Sequence, residues 1–330
     1  MRSPQWHSYF YRRKYGRSRG TPMGKLVERI KQKTTTRRSK RKLQFQDAST
    51  SSKGPKFSCE ADKDYGDSAQ TPDVSPALYA LKEKEFVESL CVTLEKQPEV
   101  QIATKDQPES KLWHEERRKR ISSTKFYDVC RKHKAGFKFE SVVNSILYPK
   151  PINTPDLEYG RSHEKTAVEA YKKSHSNIRV QECGLFISLD MPFLCATPDR
   201  LLNDDGVLEV KCPRSALGYP TLEETSKHHN IAIKVCKKKG SLSLRPTHRY
   251  YYQIQGQLHA TERDYCDFFV WSPKDTFLQR ITRDGSFGQS CVEQLRPFYF
   301  GYLLPEILDS RVARNMPLRS EPVTNEIEEF

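Results

Sequence analysis

Asp199, Glu209 and Lys211 place two carboxylates and a lysine within thirteen residues of one another. They stand in the segment Thr197-Pro-Asp-Arg-Leu-Leu-Asn-Asp-Asp-Gly-Val-Leu-Glu-Val-Lys-Cys-Pro213. Asn203–Gly206 is a turn signal between two apolar runs. A four-residue loop there sets Asp199 opposite Val210, beside Glu209, across a hairpin. The strand period of two puts Glu209 and Lys211 on one face, and Leu208, Val210 and Cys212 on the other, toward a core. Two neighbouring carboxylates suit Mg²⁺, which prefers oxygen ligands and keeps waters for substrate phosphate; Mn²⁺ is a possible substitute. Such an ion can polarise a phosphodiester and activate a bound water. A lysine two residues on can hold that water or neutralise developing negative charge. Taken alone, the pattern also describes a hairpin with a Glu–Lys ion pair. The surroundings have to decide.

The elements that would position these groups follow from periodicity. Leu78, Leu81, Phe86, Leu90 and Leu94 recur at near-helical spacing, and Ser123–His133 and Phe139–Leu147 read as short helices. Asp156–His175 reads as a longer helix, with Asp156 a possible N-cap. It places Glu164 on one face with Gly160, Val168 and Tyr171. Ile178–Ser188, Phe193–Leu201 and Val207–Cys212 are β-rich. Ser215–Thr247 is polar and Lys-rich and reads as an irregular excursion. In it His228 and His229 lack a partner at ligand spacing, and Lys234, Lys237, Lys238 and Lys239 would face DNA or solvent. His248–Ala260 is helical, with Tyr250, Gln253, Ile254, Gln257 and Leu258 on one stripe and Gln255 pointing elsewhere. Tyr265–Trp271 and Phe277–Arg283 are strands, and Val292–Leu308 closes with a helix. The order implies an α/β (α+β) layered domain, a mixed central sheet flanked by helices.

Charge divides the chain. The formal net charge is +14. Residues 1–55 hold sixteen Lys and Arg against two acids, Glu28 and Asp47, and the remainder is balanced at forty of each sign. A basic arm of this kind reads as a nucleic-acid-binding or targeting segment. Residues 1–75 are polar and poor in aliphatic side chains, a disordered composition. Arg37-Arg38-Ser39-Lys40-Arg41-Lys42 fits a nuclear localisation signal. The acid-poor, Arg-rich start leaves a mitochondrial address as the alternative. Residues 76–320 form the folded domain, with a core over 101–308, and 321–330 is an acidic tail. The nine cysteines include no CxxC pair, which argues against a zinc ribbon. Cys195, Cys212 and Cys266 sit in apolar runs and read as core. No apolar run suits a signal peptide or a membrane span, so no membrane partner is expected.

Pro198-Asp199 followed by Glu209-x-Lys211 resembles the signature of the PD-(D/E)xK nucleases, which share a restriction-endonuclease-like core. The flanks Thr-Pro-Asp-Arg and Leu-Glu-Val-Lys-Cys-Pro resemble the lambda-exonuclease branch, the YqaJ viral recombinases, in their animal, transposon-associated form. Four further segments fit in order. They are Trp113-x-x-x-Arg117 with Arg120-Ile-Ser-Ser-Thr124, Gly160-x-x-x-Glu164, Tyr250-x-x-Gln253-x-Gln255-Gly-Gln-Leu258, and Arg280-Ile281 with the closing Leu295–Leu308. The resemblance implies Asp199, Glu209 and the Val210 carbonyl as metal ligands, Glu164 aiding the metal or its waters, and Lys211 as catalytic lysine. Gln253 would bond the attacking water or the lysine. Arg117, Ser122, Thr124 and Thr197 would hold the 5′-phosphate of a DNA end, although Arg117-Arg118-Lys119-Arg120 also fits a plain basic patch. It implies a 5′→3′ exonuclease on double-stranded DNA serving recombination or repair, with a homo-oligomer (a trimer) and a single-strand annealing or recombinase protein as possible partners. A structure-specific endonuclease on the same fold, and a catalytically silent DNA-binding module from a mobile element, are the alternatives.

Overall fold

The computed structural model describes residues 75–135, 139–236, 240–312, 316 and 318, so the basic arm, Lys237–Lys239 and the acidic tail lie outside the described residues. Helices come first, as the spacing predicts. α1 (Pro76–Ser89) starts at Ser75, whose hydroxyl accepts from the Leu78 N–H. α2 (Gln97–Ala103) and α3 (Lys111–Arg118) follow, then the short strand β1 (Ile121–Ser122), α4 (Phe126–Ala135) and α5 (Glu140–Leu147). α6 (Pro155–Ser174) is the long helix. Its cap is Thr154 and not Asp156: the Thr154 hydroxyl accepts from the Leu157 N–H at 3.3 Å. Pro155 takes the first helical position, where a missing N–H is harmless.

The β-rich run resolves into β2 (Val180–Gln181), β3 (Phe186–Ile187), β4 (Leu194–Ala196), β5 (Arg200–Leu202) and β6 (Gly206–Lys211). The excursion after β6 is more regular than its composition predicts. It holds α7 (Leu222–His228) and a hairpin of β7 (Ile233–Val235) and β8 (Leu242–Leu244). Its apolar anchors are few, chiefly Leu222, Ile231, Ile233 and Leu244, which is why no period shows. Lys234 does not face DNA or solvent freely: its Nζ donates to the carbonyls of Ser226 and His229, tying the end of α7 to β7. His228 and His229 are exposed beside Tyr219.

α8 (Arg249–Thr261), β9 (Tyr265–Trp271) and β10 (Thr276–Thr282) complete the centre. The closing helix α9 (Gly285–Phe298) begins earlier than the apolar spacing predicts, because Asp284 caps it by accepting from the Phe287 N–H at 2.9 Å. A widened turn, Tyr299–Leu303, then leads into α10 (Leu304–Leu308). It follows Pro297, which has no N–H to give the helix. Among the described residues no helix is long and apolar enough to cross a membrane.

The main sheet runs β10-β9-β6-β5-β2, with β6 and β9 parallel and the other neighbours antiparallel. A smaller sheet runs β1-β4-β3. Strand alternation splits β6 between two cores. Leu208, Val210 and Cys212 meet Ala167, Val168 and Tyr171 of α6. Val207 joins Cys266, Phe268 and Val270 of β9 against Ile254 and Leu258 of α8. Each fully buried aliphatic side chain contributes about 1.5–3 kcal/mol. The two helices are thereby fixed on opposite faces of the strand that carries Glu209 and Lys211. Cys195, Cys212 and Cys266 are buried thiols, as expected.

Candidate active site

The hairpin that holds the site differs by one residue from the expected register. Arg200 pairs with Leu208, Leu201 with Val207 and Leu202 with Gly206, so the loop is the three residues Asn203–Asp205. Continued one step, this register sets Asp199 against Glu209 and not Val210. Asn203 takes a left-handed φ of 47°, which Asn tolerates better than most residues. Its Oδ1 accepts from the Arg179 N–H at 2.9 Å. Arg263 Nη1 donates to the carbonyls of Leu202, Asn203 and Gly206 at 3.3, 3.2 and 2.8 Å. A Cβ at Gly206 would run into the tip of the Tyr265 ring, so a larger residue there would make that ring shift.

Glu209 is buried, and α8 reaches across to it. Its Oε1 accepts from Gln253 Nε2 at 2.7 Å and from Lys211 Nζ; its Oε2 accepts from Gln257 Nε2 at 2.6 Å. Gln253 and Gln257 are one turn apart on α8, so a single helix face holds both oxygens. α8 sits close to the chain at Ser123–Phe126 because Gly256 lacks a side chain: a Cβ there would meet the Phe126 ring at 2.8 Å. Gln255 points away, donating to the Thr282 carbonyl at 3.0 Å and accepting from the Asp284 N–H at 2.9 Å.

Asp199 is half-buried, and its Oδ2 accepts from the Val210 N–H at 2.7 Å. Burial and the Glu209 carboxylate push its pKa up to about 8. Lys211 Nζ also donates to the Val210 carbonyl at 3.1 Å and lies 4.9 Å from the centre of the Tyr250 ring. Burial opposes its charge, but Glu209 and Asp199 outweigh burial and hold its pKa above the usual lysine value. Lys211 is therefore an ammonium donor at neutral pH. Glu164 of α6 stands nearby, its Oε1 accepting from Arg200 Nη1 at 3.3 Å.

The donor set fits a hard divalent cation held by two carboxylates. An ionised carboxylate offers about four lone-pair sites. On Glu209 three are used by Lys211, Gln253 and Gln257, which leaves one on Oε2. Asp199 Oδ1 has no hydrogen-bond partner among the described residues, and it belongs to a partly exposed side chain. The mutual repulsion that raises the Asp199 pKa is what a cation would relieve. Among the described residues no group of three His, Cys, Asp or Glu side chains converges for a metal. Glu164 is held by Arg200, and its charge adds to burial and Glu209 in raising the Asp199 pKa.

The proposed 5′-phosphate group comes together in two halves. Arg117 lies over the Trp113 ring at 4.1 Å, and Trp113 Nε1 donates to Thr197 Oγ1 at 3.0 Å. Ser122 and Thr124 share a hydroxyl bond at 3.1 Å. β1 and β4 pair in parallel with Ser122 beside Cys195, two residues before Thr197. Thr124 also lines a cavity of about 250 Å³ with Lys125, Asp128, Arg249, Tyr250 and Gln253, which links this half to the Glu209 cradle. The run Arg117–Arg120 is not a uniform basic patch. Arg120 is buried, its guanidinium spent on the carbonyls of Pro192 and Leu90 and on Glu116, and Lys119 pairs with Glu116.

Two site residues escaped the sequence. Gln257 lies on the stripe of Gln253 but read as core. Arg200 carried no signal beyond its place beside Asp199.

Among solved structures the chain is similar to the alkaline exonuclease LHK-Exo from Laribacter hongkongensis, at 20% identity and a TM-score of 0.45, covering 60% of this chain and 93% of that one. It is similar to a phage-related exonuclease from Haemophilus somnus 129PT at 12% identity and a TM-score of 0.39, over 59% and 96%. A SOX–DNA complex matches at 11% identity and a TM-score of 0.42, over 72% and 74%. No curated protein matched the chain. Residues 112–264, from the Trp113 element to the start of β9, match the model of the YqaJ-like viral recombinase domain, a similarity that covers a little under half of the chain.

Proposed function

We propose that the protein is a magnesium-dependent deoxyribonuclease that hydrolyses double-stranded DNA from a 5′-phosphorylated end, in the 5′→3′ direction, in recombination or repair. The observation that carries this reading is the buried Glu209 held on both oxygens by Gln253, Gln257 and Lys211, next to Asp199 with one oxygen free. A divalent ion on that pair, Mg²⁺ or Mn²⁺, supplies Lewis acidity toward the scissile phosphate and helps activate water. Gln253 and Gln257 hold Glu209 in one orientation, so no reorganisation is needed when substrate arrives. Lys211, kept protonated by its carboxylate neighbours, donates to the water or phosphate oxygen that gains negative charge. Arg117, oriented by Trp113, offers its guanidinium fork to the terminal phosphate. The hydroxyls of Ser122, Thr124 and Thr197 add donors beside it.

The test is the purified chain with end-labelled linear duplexes bearing a 5′-phosphate or a 5′-hydroxyl, with Mg²⁺ and with chelator. Stepwise loss of the 5′-phosphorylated strand, abolished by chelator, is the expected result. Bound but undegraded DNA would sink the enzyme reading, and internal cuts without end dependence would replace it with an endonuclease. Deleting residues 1–55 tests the arm separately. Weaker binding with a shallower salt dependence marks it as a DNA contact. Unchanged binding with loss of the protein from the nucleus marks it as an address.

A further inference from the structure

The cavity beside the Glu209 cradle is walled by charges that the proposed chemistry does not use. It encloses about 250 Å³ and runs from Gln253 and Tyr250 at the cradle to Lys125, Asp128 and Arg249. Gln253 donates to Glu209, and the Tyr250 ring lies 4.9 Å from Lys211 Nζ. Arg249 is the first residue of α8, one turn before Gln253. Its Nη2 donates to Asp128 Oδ1 of α4 at 2.9 Å. Its Nε and Nη1 have no hydrogen-bond partner among the described residues. The pair is solvated, with side-chain exposures of 54% at Arg249 and 30% at Asp128, and ion pairs screened in this way are weak. Asp128 therefore orients the guanidinium without consuming its fork.

The surroundings are cationic. Arg249 lies 5.7 Å and Arg131 5.9 Å from the centre of the Tyr127 ring, which packs edge-on against Tyr252. Arg131 is exposed, and no carboxylate pairs with it among the described residues. Lys125, on the cavity wall, donates to the Ser145 hydroxyl at 2.8 Å. His248 senses the same field from the other direction: burial and the charges of Arg249 and Arg245 push its pKa down. The neutral ring caps α8, its Nδ1 accepting from the Tyr250 N–H at 3.2 Å. Asp128 is the one acid among the residues that line the cavity. The start of α8 adds its own partial positive charge. A guanidinium fork in such a field matches the two unesterified oxygens of a backbone phosphate.

We infer that Arg249, flanked by Lys125 and Arg131, binds a backbone phosphate of the DNA strand engaged at the cradle, and that Asp128 occupies the guanidinium until the strand displaces it. This rests on the nuclease reading above, which places that strand at Gln253 and Lys211. The contact differs from the one assigned to Arg117, because a backbone phosphate is present whether or not the 5′ end is phosphorylated.

The experiment is fluorescence anisotropy with the full chain in chelator, on blunt duplexes with a 5′-phosphate or a 5′-hydroxyl, over a range of salt. Arg249→Ala should lower the slope of log affinity against log salt by about 0.9 and weaken binding about fivefold at 0.15 M salt, equally on both duplexes. Asp128→Asn should tighten binding about two- to fivefold, the scale of one exposed pair. That gain should vanish in the Arg249→Ala background, where there is no guanidinium to release. Arg249→Lys should keep most of the slope, and thermal melting checks that each variant folds. An unchanged slope in Arg249→Ala overturns the contact, and a loss confined to the 5′-phosphorylated duplex moves Arg249 into the end pocket and overturns it too. An undiminished Asp128→Asn gain without Arg249 is a general charge effect and overturns the mask. Hydrolysis of the duplex by the wild-type chain is read in parallel with Mg²⁺. Arg249-dependent binding without any cutting removes the nuclease reading and keeps the phosphate contact; normal cutting with an indifferent Arg249 does the reverse.

Discussion

The Glu209 cradle and the Arg117 cluster address the same polyanion with opposite electrostatics. In the cradle the donors converge on carboxylates: Lys211, Gln253 and Gln257 all point at Glu209, and the Val210 N–H points at Asp199. At Arg117 the guanidinium is oriented by a ring, at 4.1 Å over Trp113, and no carboxylate pairs with it among the described residues. The first arrangement concentrates negative charge and fixes it for a cation. The second keeps a cation free for an anion. Arg120, three residues from Arg117, shows what the chain does with an arginine meant for structure: it is buried against carbonyls and Glu116.

The strongest way to break the comparison is at Lys211. Lys211→Ala should lower the cutting rate by about 10²–10³ while DNA affinity stays near wild type, because the donor acts on charge that develops during reaction. Single-turnover rates beside anisotropy titrations give both numbers. Cutting at the wild-type rate would empty the cradle of its proposed role. Gln257→Leu comes next. It leaves Glu209 Oε2 without its donor, and the half-saturating Mg²⁺ concentration should rise about 10–100-fold, the usual scale for residues that orient a ligand. A fall in rate that added Mg²⁺ cannot reverse would show that Gln257 does something other than hold Glu209.

These residues also show what was legible. Asp199, Glu209 and Lys211 could be read because a turn and a period of two define a hairpin locally. The register missed by one because it depends on the left-handed Asn203 and on Gly206 meeting Tyr265, a contact with a strand far along the chain. Gln257 shared the visible stripe with Gln253, yet a glutamine among Ile254 and Leu258 shows no sign of the buried carboxylate it faces. Arg120 read as surface charge because its partners, the carbonyls of Pro192 and Leu90, carry no side-chain signature. Short elements such as α7 and the β7–β8 hairpin were invisible because a handful of anchors does not make a period.

The Arg117 side of the comparison predicts a smaller and different effect. Arg117→Ala should raise KM for a 5′-phosphorylated duplex by roughly tenfold, the scale of one hydrogen bond to a charged group, and leave a 5′-hydroxyl duplex almost unaffected. Steady-state kinetics on the two substrates measure the split. Equal losses on both would make Arg117 a general backbone contact rather than an end reader.

The smallest effect is one of stability, and it separates the regions by sign. Asp199 has a folded-state pKa raised from 3.8 to about 8 by burial and Glu209. A raised carboxylate pKa means that the folded state favours the protonated form. Its contribution is fully present below the unfolded value and is lost as pH climbs toward 8. The metal-free protein should therefore melt progressively lower across that window, by the order of a few degrees. Asp199→Asn should flatten the slope, since nothing remains there to ionise. Mg²⁺ should raise the melting temperature more at the top of the window than at the bottom, because binding the ion requires Asp199 to release its proton. Arg117→Ala should leave the slope unchanged, as its cluster contains no carboxylate that pairs with it. Melting curves with and without Mg²⁺ test all three, and a slope that survives Asp199→Asn would place the strained charge elsewhere than in the cradle.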